Sequence, residues 1–248
     1  MKKITHLLAG LLLIGLSHSA SSMIMAREGD TLVMTGKVIP EDLDRFRRQL
    51  VDGTLRLVVL AESPGGDLRA ALWIAHRINE HKINTAVLGH CASSCAVIFM
   101  GGIERQMMDT PKLERTRLGF HGPHKKSDHS VSERGSETTR AWLVEASQGK
   151  FDGPLLDRAM NIQKAEDIMF FYYPREGSAV STWFCKAGAK PRPRGCDEIA
   201  EVDLFKAGIL TTPKLLAMDT PIGRAAAEAP PAKDAGEAAD PAPAAESK

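Results

Sequence analysis

The chain has 248 residues, 43% of them hydrophobic, and sets 32 Lys and Arg against 31 Asp and Glu for a net charge of +1. A balance so near neutral leaves no electrostatic footprint for nucleic acid, and the three arginines of Arg45–Leu50 (RFRRQL) read as the solvated face of a helix. With its two ends set aside, the length suits one domain with a sizeable core.

The first residues indicate a compartment. Met1-Lys2-Lys3 is a positive start, Leu7–Leu16 is an apolar run, and small and polar residues follow at Ser17–Ser22. That order is a signal peptide, and the run is too short to span a bilayer. Residues 1–22 are therefore predicted to be removed, with cleavage between Ser19 and Ala26, and the mature protein to be periplasmic. No cysteine lies near the run, so a lipid anchor is not expected. The four cysteines, Cys91, Cys95, Cys185 and Cys196, are an even set in an exported chain, which suggests disulfides. Cys185 and Cys196 flank a turn-rich basic stretch and are paired on that ground. Cys91 and Cys95 then remain, and they can meet only if Cys91 sits just before its helix, because side chains on a regular helix run nearly parallel.

The elements follow in chain order. Thr31–Met34 and Lys37–Ile39 read as short strands around Gly36. Pro40 opens a helix with Glu41 and Asp42 in its first turn, and Leu43, Phe46 and Leu50 give it an apolar face. Leu55–Ala61 is a buried strand, broken by Ser63-Pro64-Gly65-Gly66. Asp67 caps a helix whose apolar residues are Leu68, Ala71, Leu72, Ala75 and Ile78. Ile83–Leu88 is a strand ended by Gly89, and Ser93–Met100 is a short apolar helix. Beyond a polar loop after Gly122, two helical pieces run from Thr138 to about Gln163, Ala165–Tyr173 and Glu198–Ala207 read as helices, and Gly208–Leu210 starts a last strand. Alternating strands and helices argue for an α/β fold with a mostly parallel sheet and crossover helices. The domain is placed at residues 27–222. Residues 223–248 form an Ala- and Pro-rich tail with too little apolar bulk to order itself.

Three segments carry chemistry together. Ser63–Gly66 is a turn with free backbone N–H groups at a strand end. Gly89–Ala96 (GHCASSCA) puts Ser93 between a strand and a helix, where a nucleophile is exposed. Leu118–Pro123 (LGFHGP) puts His121 at a strand end. Taken singly, they have plain readings as a turn, an N-capping serine and a packed histidine. In this order they resemble the Clp protease family of the Clp/crotonase superfamily, with its Ser-Pro-Gly-Gly turn, Gly-x-Ala-Ala-Ser-x-Gly-Ala segment and downstream histidine. The resemblance spans roughly residues 31–212. The Cys-Ala-Ser-Ser-Cys box followed by Gly-Phe-His looks like predicted periplasmic proteins with a Clp-type core.

What the resemblance implies is specific. The fold would be the ββα superhelix. Ser93 would be the nucleophile, His121 the general base, and the N–H groups of Gly65 and Ser94 the oxyanion donors. The family's acid has no obvious match, and Glu176, Asp197 and Asp167 are candidates in that order. A peptide or protein would be the substrate, and the chain would form a homo-oligomer. Glu62 stands where the family has asparagine, and cysteines replace small residues around the serine. These departures leave a second reading: a catalytically degenerate Clp-fold binding or scaffold protein of the envelope. His121, His124, Asp128 and His129 lack a regular metal-ligand spacing and read as a solvated loop, so no metal is expected. Cys91 and Cys95 are spaced CxxxC rather than CxxC, which disfavours thiol redox chemistry. Export disfavours the superfamily's acyl-CoA branch. No phosphate-binding loop is present, so no cofactor and no ATPase activity are expected of the chain.

Overall fold

A computed structural model describes residues 23–125, 127–151, 153–174, 181–186, 196–199 and 202–217. The expectations for residues 1–22, for Glu176 and for the tail at 223–248 lie outside the described residues.

Three strands, β2 (Thr31–Thr35), β3 (Leu57–Ser63) and β4 (Asn84–Ala92), run parallel through the middle of one sheet. Their side chains alternate between its faces, as pleated strands require. Leu32, Met34, Val58, Leu60, Val87 and Cys91 enter the main core, whereas Val33, Val59, Ala61, Ala86 and Leu88 enter a smaller cluster on the other face. Parallel neighbours need crossovers. α1 (Asp42–Gln49) joins β2 to β3, and α2 (Leu68–Glu80) joins β3 to β4. α2 buries Ala70, Ala71, Ile74, Ala75 and Ile78, one face at helical spacing.

α3 (Ser94–Phe99) follows β4 directly and is buried along its whole length. Two strands then share the free edge of β4. β5 (Arg105–Met107) pairs with its first half and β6 (Arg117–Phe120) with its last residues, both parallel. α4 (Glu133–Ala146) and α5 (Pro154–Met160) lie between β6 and β7 (Ile168–Tyr172). From β6 outward the sheet turns antiparallel, through β7, β8 (Thr182–Cys185) and β9 (Cys196–Ile199). β1 (Ile24–Glu28) is antiparallel on the opposite flank. The sheet is thus mixed, and the expected parallel arrangement holds only at its centre.

Several local expectations are corrected. Ala165–Tyr173 was expected to be helical, yet Ile168–Tyr172 (IMFFY) is strand β7, as suits an aromatic-rich segment with a partner on each side. The Glu198–Ala207 helix gives way to β9 and a set of turns, with the Cys185–Cys196 disulfide holding β9 beside β8. Gly89 does not end its strand: it takes φ 69° inside β4, which continues to Ala92.

Gly208–Leu210 is not a strand either. It is tied down by Arg105, which is 5% exposed. The guanidinium donates to Gly102 O (2.7 Å), Ile209 O (3.1 Å) and Gly208 O. Burial lowers its pKa to about 10, so it stays charged at neutral pH. Arg105→Ala should therefore cost about 3 kcal/mol or more, by stranding buried carbonyls. Urea unfolding checks this, and a loss below about 1 kcal/mol would mean that the segment is held by other contacts.

Candidate active site

β4 ends at Ala92 and α3 begins at Ser94, so Ser93 alone makes the joint. Its backbone has φ 55° and ψ −125°. That conformation is disfavoured for a residue with a Cβ and costs about 1–3 kcal/mol. The joint is fixed on both sides: Ser93 N–H donates to Gly119 O of β6 (2.8 Å), and Ser93 O accepts from Val97 N–H (3.2 Å). The Cys91–Cys95 disulfide spans it, with Cα atoms 5.3 Å apart and both residues buried. Cys91 stands in β4, ahead of the helix. Ser93 makes no capping hydrogen bond through its side chain, so the plain reading as an N-cap does not describe it. A strained strand-to-helix turn with an uncommitted hydroxyl is the geometry of a nucleophile elbow.

Ser94 is buried, and its hydroxyl donates to Gly66 O (2.9 Å). As the first residue of α3 it has no intrahelical acceptor for its N–H. Across from it lies the Ser63–Gly66 turn. Gly65 was the expected second oxyanion donor, but its N–H is directed at Ser63 Oγ (3.3 Å), and the residue is buried. A Cβ on Gly65 would fall 2.7 Å from Ser94 N, so a side chain there collides with the neighbouring donor. Gly66 is exposed and borders the cleft beside Ser93 and Ser94. The glycine facing the cleft is therefore Gly66, not Gly65. Glu62 does not line the cleft: its carboxylate lies against Gly89.

His121 follows β6 and lines the same cleft, of about 590 Å³, as Ser93. Burial, and then the neighbouring His124, push its pKa down to about 4. The imidazole is thus neutral at physiological pH. Its ring stacks on His124 with centroids 5.6 Å apart. Its Nδ1 is buried without a hydrogen-bond partner, and no hydrogen bond joins it to Ser93. Asp128 does not join the two histidines, since its carboxylate accepts from Ser130 N–H and hydroxyl. Among the described residues no group of three or more His, Cys, Asp or Glu could hold a metal ion.

The candidate acids separate by topology. β6 and β7 are antiparallel, with Arg117 opposite Tyr172 and Phe120 opposite Met169. Continued past the strand end, that register sets Ile168 opposite His121 and Asp167 opposite Gly122, so Asp167 is near in level but alternates to the other face of the sheet. Asp167 is 9% exposed. Asp197 is on β9, three strands away from β6, or roughly 14 Å. Neither is hydrogen-bonded to His121 Nδ1, and Glu176, the first candidate, falls outside the described residues.

No protein-family model matches the chain, and no curated protein does. Several solved structures are similar to it at low identity. A ClpP1 mutant from Listeria monocytogenes is 12% identical with a TM-score of 0.45, covering 78% of this chain and 94% of its own. The ClpP protease catalytic domain from Plasmodium falciparum is 13% identical with a TM-score of 0.46, over 77% and 86%. A mutant of the 1510-N membrane-bound stomatin-specific protease is 13% identical with a TM-score of 0.44, over 77% and 80%. At these identities the likeness concerns the fold alone.

Two outcomes follow from this geometry. Burial also lowers the pKa of His90, to about 3, with the Arg117 charge as the second cause. The unfolded chain protonates both imidazoles near pH 6.5, and the folded chain does so only near pH 3 to 4. Their stabilisation is therefore complete above pH 6.5 and lost as the pH falls toward 4, on the order of 1 kcal/mol per pH unit for each. Urea midpoints at pH 7, 6 and 5 should fall, less steeply in His121→Gln. A flat profile would show that these imidazoles are charged in the folded state. Separately, Cys91→Ala with Cys95→Ala should lose about 2 kcal/mol, the restraint expected of so short a closed loop. Unchanged stability in oxidising buffer would show that the bridge adds nothing to the joint.

Proposed function

We propose that the protein is a serine hydrolase acting on peptides. Ser93 attacks the carbonyl carbon, and neutral His121 accepts the hydroxyl proton and later hands it to the leaving amine. The N–H groups of Ser94 and Gly66 receive the oxyanion. Asp167 is the acid assigned to His121, because of the described candidates it alone precedes a strand that adjoins β6. The observation that carries the reading is the strained Ser93 at the β4–α3 joint, in one cleft with a neutral histidine. Ser93 and His121 share no hydrogen bond, and catalytic hydrogen bonds often tighten only once substrate is bound.

The chain is proposed to work in the periplasm. The signal-like start and the two disulfides fit an oxidising compartment. No helix among the described residues is long and apolar enough to cross a membrane. Met23 is fully buried, which favours signal cleavage at or before Ser22. A homo-oligomer is part of the proposal on family resemblance.

The orphaned Nδ1 of His121 favours a second reading, in which the site is a degenerate remnant on a binding or scaffold protein. Labelling with a fluorophosphonate separates the two. Ser93→Ala should abolish covalent labelling, and His121→Ala should reduce it nearly as far, since nucleophile and base act as a unit. Ser94→Ala keeps the backbone donor and should retain much of it. Asp167→Asn should slow labelling by about ten-fold or more, from loss of the group that holds the imidazole. A folded, oxidised wild type that several phosphonates fail to label establishes the scaffold reading.

A further inference from the structure

The cleft that holds Ser93 and His121 has an uneven charge. Lys37, Arg69 and Lys125 line it against one carboxylate, Asp67. That carboxylate is committed, because it caps α2 by accepting from Ala70 N–H at 2.9 Å. Lys125 faces Asp128 on its own loop. Lys37 and Arg69 have no carboxylate in ion-pair contact among the described residues. In a chain whose charges otherwise balance, this is a local excess of positive charge around the candidate nucleophile.

Backbone bonding fixes where these two cations stand. Val38, next to Lys37, donates to Gly65 O and accepts from Asp67 N–H, both at 2.9 Å. Gly66 is joined in turn to Ser94 through its carbonyl. Lys37 therefore rises from the segment that flanks the turn beside Ser93, and Arg69 follows in the first turn of α2. His124 and Lys125 stand on the His121 side of the same cleft. The apolar lining, from Pro64, Leu68, Val97, Pro123 and Ala165, matches the polar lining in extent. Such walls can hold the body of a peptide while the unpaired cations offer a favourable field to an anion.

We propose that the cleft selects peptides bearing a carboxylate next to the bond presented to Ser93, held by Lys37 and Arg69. This rests on the hydrolase reading for the identity of the bond, but the charge selection can be measured without turnover. The carboxylate could come from an acidic side chain or from a free peptide C-terminus. Both present the same planar anion to the guanidinium of Arg69 and the ammonium of Lys37.

The test uses full-length, oxidised Ser93→Ala protein and fluorescent peptides, read by anisotropy. One peptide carries a central glutamate and an amidated end. A second has glutamine in that place and a free C-terminal carboxylate. A third has glutamine and an amide. The anionic peptide that matches the true source should bind about ten-fold tighter than the third, with the advantage shrinking as salt rises from about 0.05 to 0.5 M. Lys37→Glu with Arg69→Glu should abolish that advantage, and Lys37→Ala with Arg69→Ala, milder at these exposed positions, should reduce it. Equal binding of all three peptides, or a preference untouched by both double variants, overturns the proposal even if Ser93 labels with phosphonate. Charge-dependent binding with no labelling of the wild type upholds it and removes the hydrolase reading instead.

Discussion

The cleft depends on one backbone conformation, the left-handed φ of Ser93, and on the strand pairing that enforces it. β6 lies beside the last three residues of β4, with Ala92 opposite Gly119. That register sends the Ser93 N–H to Gly119 O and also brings His121, two residues beyond Gly119, out at the same end of the sheet. One pairing thus bends the chain at the serine and delivers the histidine. The disulfide and the Ser94–Gly66 hydrogen bond close the arrangement from the other side. A strained residue persists only where its surroundings over-determine it, and here three separate restraints converge on one joint.

Much of this was legible in the sequence because it is local. The β2, β3 and β4 stretches announce themselves by apolar content, Asp67 by its capping position, and the Ser-Pro-Gly-Gly turn and Cys-Ala-Ser-Ser-Cys box by composition. What was misread depends on distant partners. Ile168–Tyr172 has apolar bulk that fits either a helix or a strand, and only its place between β6 and β8 decides. The choice between Gly65 and Gly66 turns on where one N–H points, which the Ser63 hydroxyl settles inside the turn. Asp167 lies just before β7, beside β6, and Asp197 on β9, a separation that only the order of strands reveals. The cations of the cleft come from three separate elements, so no spacing in the sequence could have grouped Lys37, Arg69 and Lys125.

The electrostatics of His121 also follow from the fold. Its ring is packed after a sheet strand and against a second imidazole, so the charged form is disfavoured twice. A base with so low a pKa is present in the correct form at neutral pH but has little drive to take a proton. A carboxylate brought to its Nδ1 would raise its basicity and fix its tautomer, which is the work of the third member of a triad. Nδ1 of His121, buried without a hydrogen-bond partner, is the atom at which such a carboxylate would act.

The strain itself bears on whether the site is a remnant. If Ser93 served only the fold, its hydroxyl would be expected to cap α3, because a capping serine typically stabilises a helix by ~1 kcal/mol. It does not cap, and the backbone cost is carried with no local hydrogen bond from that side chain in return. Glycine would meet the same φ and ψ with less strain. A serine held there, with its hydroxyl uncommitted and lining a cleft, fits the proposed chemistry at the hydroxyl. The scaffold reading supplies no comparable reason for that side chain in that conformation.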